Sequence, residues 1–462
     1  MMGKADGQES LVQMVSLEQW VPQGHFFRKL DAVLDLGFVP GLLQKAYPSN
    51  LGHPGVDPVL AVRMILLSYF FDLSDVRVCD EVNLHAGYRW FCRLDFHRPV
   101  PDRTTLVKFR KRCREHGLWE ALFHQIVAQC QDVGLLSGRH LMADSTQVQA
   151  NASIKSLREI QDDLTSAADR ICADAASADK VPAEKPKPDD DHHHTDFHGK
   201  RFSNATHRSA SDPDAQFYRK SKGKEAKLSY KVHNLADTKS RVIVATSATR
   251  VSGDDASDGA QALALLKQAS EVHGINPNTL CADTMYGNAK TITALYNTSI
   301  DPHIPLLCKK PPEIPNWKRR TFDIDLLRKR EEKLAQAVAL NRAAELPNSK
   351  GYKLSRKLRH RIEHLFGEAK QSHGLGRARS RGLDKMKEQA ILTAIAQNLK
   401  RLVKFLGQTG KRVPNQGAVR PNWPNFPLFS VFRAFLPMES PWFSRIVDVM
   451  SIHPGKPAIQ IT

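Results

Sequence analysis

Seven cysteines in 462 residues, none of them in a C-x-x-C pair, are too sparse for a disulfide scaffold, and they point to a reducing compartment, the cytoplasm. Long hydrophobic runs are missing as well. The most apolar stretch, Leu60–Phe71, is a dozen residues with Arg63 inside, too short to cross a bilayer, and it reads as a buried helix. Met1–Trp20 scatters Lys, Asp and Glu through its apolar positions and lacks the order of a signal peptide. No repeat occurs at a solenoid period. Acidic residues are short in supply: 49 Asp and Glu stand against 67 Lys and Arg, a net charge of +18, which calls for a polyanionic partner. What remains is ordinary for a folded protein, with 41% hydrophobic and 25% charged residues, so wholesale disorder is excluded. The length suggests roughly two to four structural units.

The chain divides by texture. A lead segment covers residues 1–50. From 51 to 137 apolar residues recur at helical spacing, as in Leu60, Met64, Leu67 and Phe70, then Leu106, Phe109, Cys113, Leu118 and Leu122, which predicts an all-helical domain. A proline stop at Pro99 and Pro101 is followed by a capped start at Asp102 for a helix bearing Lys108, Arg110, Lys111 and Arg112. Helix, turn and basic helix fit a DNA-reading arrangement; a helical bundle with a solvated basic face fits the pattern equally well.

At Gly138 a second domain begins and runs to 408. Arg139–Ala150 alternates like a strand. Residues 155–220 are rich in small and polar residues and read as a low-complexity insertion or mobile loop. Its acidic run beside His192, His193, His194 and His198 is too irregular for a metal site. Lys227–Asn234 and Arg241–Thr249 predict a hairpin, Gly259–Val272 an amphipathic helix, and Asn278–Ala282 a strand ending at Asp283. This order is α/β. Helices at Asn288–Leu295 and about 326–346 follow. Residues 351–420 then hold 17 Lys and Arg against 4 Asp and Glu, so the polyanion is expected here. A proline- and aromatic-rich tail closes the chain from 409 to 462.

Three carboxylates have contexts that suit chemistry. Asp144 follows Leu141–Ala143 and Asp283 follows Leu280–Ala282, so both read as strand-end aspartates, where open α/β sheets place ligands. Helix caps and turns use the same residue there. Glu363 lies in a helix reading Ser355 to Lys370. Arg356 and Lys370 are each seven positions away and Arg359 is one turn away, so one face carries Arg, Arg, Glu and Lys. A solvated face with an i,i+4 pair is the plain alternative. Glu368, about 140° round the helix, is a rival that cannot share the same site. Gly367 inside a helix asks for a close approach. His233 suits either a partner near the strands or a satisfied structural histidine.

On these residues the sequence resembles the DDE transposases of bacterial insertion sequences. The resemblance rests on Leu141–Asp144 with Ser145 and Thr146, on Ala282–Gly287 (ADTMYG), and on Arg359-x3-Glu363-x6-Lys370. The last matches Y-x2-R-x3-E-x6-K, with Arg356 in place of the Tyr. Ser74–Asp75, Tyr88–Phe91 and Pro101–Lys111 resemble the helical part of these enzymes, and Ser211–Ala215 and Tyr230–His233 are weaker matches. Coverage is roughly residues 50 to 405.

The resemblance implies an α/β catalytic domain with a ribonuclease-H-like mixed sheet flanked by helices, preceded by an all-α N-terminal domain. It implies cleavage of phosphodiesters at the ends of a mobile element and transfer of the 3′-hydroxyls to target DNA. Asp144, Asp283 and Glu363 would hold two Mg²⁺ or Mn²⁺ ions, with Asp144 shared between them, since hard oxygen ligands suit these ions and in-line phosphoryl chemistry uses them in pairs. Arg356, Arg359 and Lys370 would hold phosphates, and Arg377, Arg379 and Arg381 would press a loop against the DNA backbone. Lys108, Arg110 and Lys111 would bind DNA from the helical domain. Double-stranded DNA is the implied partner and a homodimer on DNA the implied assembly, at work in the cytoplasm on the nucleoid. Two other readings are an inactive DNA-binding descendant and a ribonuclease-H-like nuclease that cuts without joining.

Overall fold

Helical spacing becomes helices throughout the first third of the chain. The computed structural model describes residues 16–47, 55–160, 203–219, 225–253, 256–308, 310–317 and 323–413. The acidic and histidine-rich run and the tail beyond 413 lie outside the described residues. Three short helices, α1 (Leu17–Trp20), α2 (Phe26–Asp31) and α3 (Val39–Leu43), precede α4 (Pro58–Phe70), α5 (Asp75–Leu84), α6 (Ala86–Phe91), α7 (Arg103–Glu115) and α8 (Leu118–Asp132). The apolar stretch is α4, buried from Ala61 to Phe70. Its Arg63 is neutralised by Asp31 at 2.6 Å and donates to the Phe91 carbonyl at 2.8 Å, as a buried charge requires. The proline stop also acts as predicted: the Asp102 carboxylate accepts the Thr105 N–H at 2.7 Å and starts α7.

The sheet holds β1 (His140–Gln149), β4 (Gln216–Tyr218), β5 (Lys227–Asp237), β6 (Ile243–Thr249), β7 (Thr279–Cys281) and β8 (Asp301–His303). Its order is β6-β5-β1-β7-β8, with β4 beside β5 on the β6 edge. β1, β5 and β6 are antiparallel, while β1, β7 and β8 are parallel. This is a ribonuclease-H-like mixed sheet. Helix α9 (Asp258–His273) carries the chain from β6 to β7, which are not neighbours, and α10 (Ala289–Asn297) connects β7 to β8, as a parallel pair needs. At the turn after β7, a Cβ on Gly287 would lie 2.1 Å from the Pro305 carbonyl oxygen, so only glycine lets these two segments meet.

Two expectations are corrected. Parts of 155–220 are ordered: β2 (Leu157–Glu159) pairs with β3 (His207–Ser209), and β4 joins the main sheet. Asp212 explains this order, because its carboxylate accepts the Tyr230 hydroxyl at 2.6 Å and the Gly382 N–H at 3.1 Å. Asp144 is not at a strand end, since β1 continues five residues beyond it.

After α11 (Ile324–Glu345) come α12 (Lys350–Leu358), α13 (His360–Ser372) and α14 (Leu383–Thr409). Helix α14 is buried through its middle and packs against β6, α8 and α4, burying polar Glu388, Gln389, Gln397 and Asn398 along with its apolar residues. Its buried Asn398 both accepts the Ile243 N–H and donates to the Ile243 carbonyl, each at 2.8 Å. One hydrophobic core runs from the helical half through α14 into the sheet. The textural change at Gly138 is therefore a change of secondary structure within shared packing.

Candidate active site

Strand register brings the two aspartates together. β1 and β7 run parallel with Met142 opposite Cys281. Two residues further along lie Asp144, still within β1, and Asp283, just past the end of β7, close enough for the charge of Asp283 to be felt at Asp144. Asp283 lies two residues past β7 and caps a 3₁₀ turn, its carboxylate accepting the Thr284 N–H at 2.7 Å. Asp144 accepts the N–H of Ser145 at 2.8 Å.

Glu363 comes from α13, which packs on β1. The single helix predicted over 355–370 is two helices, with Arg359 alone between them and still in helical dihedrals, so its i,i+4 relation to Glu363 persists. The Arg359 guanidinium donates one nitrogen to Asp283 at 2.7 Å and another to Glu363 at 3.1 Å. Burial works against the charge of Arg359, yet Asp283, Asp144 and Glu363 around it hold its pKa above the ordinary value. Asp144 behaves oppositely. Burial raises its carboxyl to about 6, the Ser145 N–H and Arg359 opposing and the charges of Asp283 and Asp258 adding to the rise. Two carboxylates from two separate elements thus share one cation, and Asp144 feels the charges of Arg359 and Asp283 without contacting Arg359. The side chains of Asp283 and Glu363 are 47% and 58% exposed, so the site opens on the surface.

The rival Glu368 is excluded from this group. It faces α14, where Arg401 binds it at 2.6 Å and Gln397 donates at 3.2 Å. Burial would raise its pKa, but His373 and Arg401 pull it down to about 2. Gly367 meets no atom within 4 Å of a built Cβ, so the expected close approach is absent there. His233 is a buried base whose ring bonds the Thr249 hydroxyl at 3.0 Å, and burial lowers its pKa to about 4.

The predicted DNA-binding cations separate into two groups. Arg356, Lys370, Arg377 and Arg381 are exposed. Backbone bonds from Ala378 to Gln149 and from Gln149 to Gly376 lay their loop along the end of β1, and Arg381 donates to the Asn151 carbonyl at 3.0 Å. On α7, Lys108 and Lys111 are exposed too. Arg110 and Arg379 are not available in this way, which corrects the expectation for both. Arg110 is spent on Asp75 at 2.6 Å and on Glu388 at 3.6 Å. Arg379 donates to the Leu73 and Ser68 carbonyls and to Asp72, at 2.8, 3.0 and 2.8 Å, fastening its loop to the helical half.

Sequence reasoning missed Asp258. Its carboxylate holds Lys231 at 2.7 Å and lies 3.5 Å from His233, and its charge is felt at Asp144. An aspartate opening a helix carries no motif, so only packing reveals it.

The donor type suits a hard divalent cation: carboxylate oxygens, with Asp283 and Glu363 solvent-accessible and already sharing a cationic partner. Among the described residues no group of three or more His, Cys, Asp or Glu is placed so that it could hold a metal ion. Nor, among the described residues, is any helix long and apolar enough to cross a membrane.

Residues 15–112 match the family model "Transposase domain (DUF772)", and residues 190–399 match that of the "Transposase DDE domain". The second range includes Asp283 and Glu363; Asp144 lies outside both, so its inclusion rests on the geometry of β1. The chain is also similar to a piggyBac transposase solved as a synaptic complex with hairpin DNA, at 10% identity and a TM-score of 0.34 over 93% of this chain and 86% of that one.

Proposed function

Because the chain belongs to the DDE transposases, DNA-cleaving and strand-transferring enzymes that depend on divalent metal, we propose that Asp144, Asp283 and Glu363 are its catalytic carboxylates. The observation that carries this assignment is the Arg359 guanidinium shared by Asp283 and Glu363 beside Asp144.

Mg²⁺ or Mn²⁺, two per site, would supply activation of the attacking oxygen and stabilisation of the leaving one. The protein's own groups do the rest. Asp144, fixed in mid-strand by backbone pairing on β1 and by the Ser145 N–H, is the rigid member of the set. Asp283 and Glu363 approach it from a turn and a helix, and their exposure leaves room for a duplex. Arg356 and Lys370 would neutralise phosphates flanking the scissile bond, which orients that bond for in-line attack. Arg377 and Arg381, at the far end of β1, lie about 16 Å along the strand from Asp144, a reach of a few nucleotides. Lys108 and Lys111 would add phosphate contacts from α7. We further propose that the helical and α/β halves are separate functional units, that the enzyme works as a homodimer pairing two element ends, and that it does so on the nucleoid in the cytoplasm.

The test uses labelled duplex DNA carrying the ends of the element that encodes the protein, with Mg²⁺. Wild type should give cut and joined products. Asp144→Ala, Asp283→Ala and Glu363→Ala should each lower cleavage by at least about a thousandfold while end binding persists. Normal cleavage by any one variant removes that residue from the site, and cut product without joining would make the protein a nuclease.

A further inference from the structure

We propose that Arg359 is a built-in counter-ion of the carboxylate site, holding Asp283 and Glu363 in place until a divalent cation displaces it and its guanidinium passes to a DNA phosphate. This rests on the carboxylate assignment above and assigns the site a gate.

Convergent carboxylates repel one another, and a site that must stay assembled between reactions needs a cation of its own. Arg359 meets that need geometrically. Two different nitrogens reach two acids from different elements, Asp283 after β7 and Glu363 on α13, at 2.7 and 3.1 Å. A planar fork can span the pair, whereas a lysine would reach one acid at a time. The guanidinium thereby stands between groups that would have to close on an ion. The pairing is also replaceable. Both acids are about half exposed, so solvent screens the ion pairs and each contributes little. Once released and repelled by the incoming charge, the fork is suited to bidentate contact with a phosphate. Metal loading and DNA contact would then favour each other, and the DNA-free protein would bind metal poorly.

The test measures Mn²⁺ binding to the full-length protein without DNA, reading free Mn²⁺ by electron paramagnetic resonance. Arg359→Gln should bind Mn²⁺ roughly threefold to tenfold more tightly than wild type, with Arg359→Lys between them. Arg356→Gln, which removes a neighbouring charge that bridges no acids, should stay within about twofold of wild type. Thermal unfolding supplies a second readout: in EDTA, Arg359→Gln should melt below wild type, and Mn²⁺ should raise its melting temperature by more than it raises that of wild type. The inference is overturned if Arg359→Gln binds no more tightly than wild type, or if Arg356→Gln tightens binding equally, which would mark a bulk charge effect. The combined variant Asp144→Asn, Asp283→Asn, Glu363→Gln separates the two claims. If it loses Mn²⁺ binding, the site stands whatever Arg359 does; if it binds like wild type, the carboxylate site itself fails.

Discussion

On α7, Arg110 and Arg114 turn inward to Asp75 and Glu388, whereas on α12 and α13 Arg356 and Lys370 stay exposed and Arg359, between the helices, turns to the acids of the candidate site. Both stretches look alike as sequence, dense in cations at helical spacing. The difference is set by acids supplied from elsewhere. Glu388 sits on α14, more than 270 residues from α7, and its side chain is only 5% exposed. A carboxylate buried to that degree must have its charge met, and Arg110 and Arg114 meet it. Asp283 and Glu363 remain half exposed, so the arginine they hold is under no such compulsion. Counting basic residues locates a polyanion-binding region, but it cannot say which of those residues are free to bind.

The comparison can be broken most forcefully at Arg110. Arg110→Ala leaves Asp75 and Glu388 short of a buried partner and should lower unfolding stability by about 3 kcal/mol in urea titration, more if Glu388 stays ionised. A loss below about 1 kcal/mol would mean that α7 presents this arginine outward after all.

A similar loss should appear with pH, at bases that burial keeps neutral. The rings of His124 on α8 and His273 at the end of α9 meet at 2.9 Å. Burial lowers each from 6.5 to about 4, and for His273 the neighbouring His124 adds to the shift. Because the folded state binds these protons less tightly than the unfolded one, stability is complete above pH 6.5 and falls as pH drops towards 4, by about 3 kcal/mol for each ring. His273→Gln should flatten that slope in urea titrations between pH 4 and 8. An unchanged slope would place the acid sensitivity elsewhere.

The smallest effects belong to the exposed side of α7. Lys108→Gln and Lys111→Gln should each reduce the slope of log binding constant against log salt by about 1 in DNA titrations, with stability within about 0.5 kcal/mol of wild type. Slopes equal to wild type would confine DNA binding to the α12–α13 side.

Local pattern foresaw the elements well. The β5–β6 hairpin, the helix after it, the strand before Asp283 and the capped start of α7 lie where alternation, helical spacing and proline or aspartate punctuation put them. Asp144 was misplaced within its strand because a strand's end depends on where its neighbours stop pairing, and β5 continues to pair as far as Gln149. The ordered parts of 155–220 were missed for a related reason: β2, β3 and β4 are three residues each, too short to show a period, and they exist through partners.

Composition and spacing alone determined that the protein meets a polyanion, that a helical half precedes an α/β half, and which acids were candidates, because charge balance and periodicity are properties of the chain itself. Tertiary structure alone decided that Glu363 and not Glu368 shares an arginine with Asp283, that Arg359 bridges acids from two elements, and that Arg110 and Arg379 are tied to other parts of the chain. Each of those outcomes depends on which groups from distant parts of the chain are brought within hydrogen-bonding distance, and on how much water is left around them.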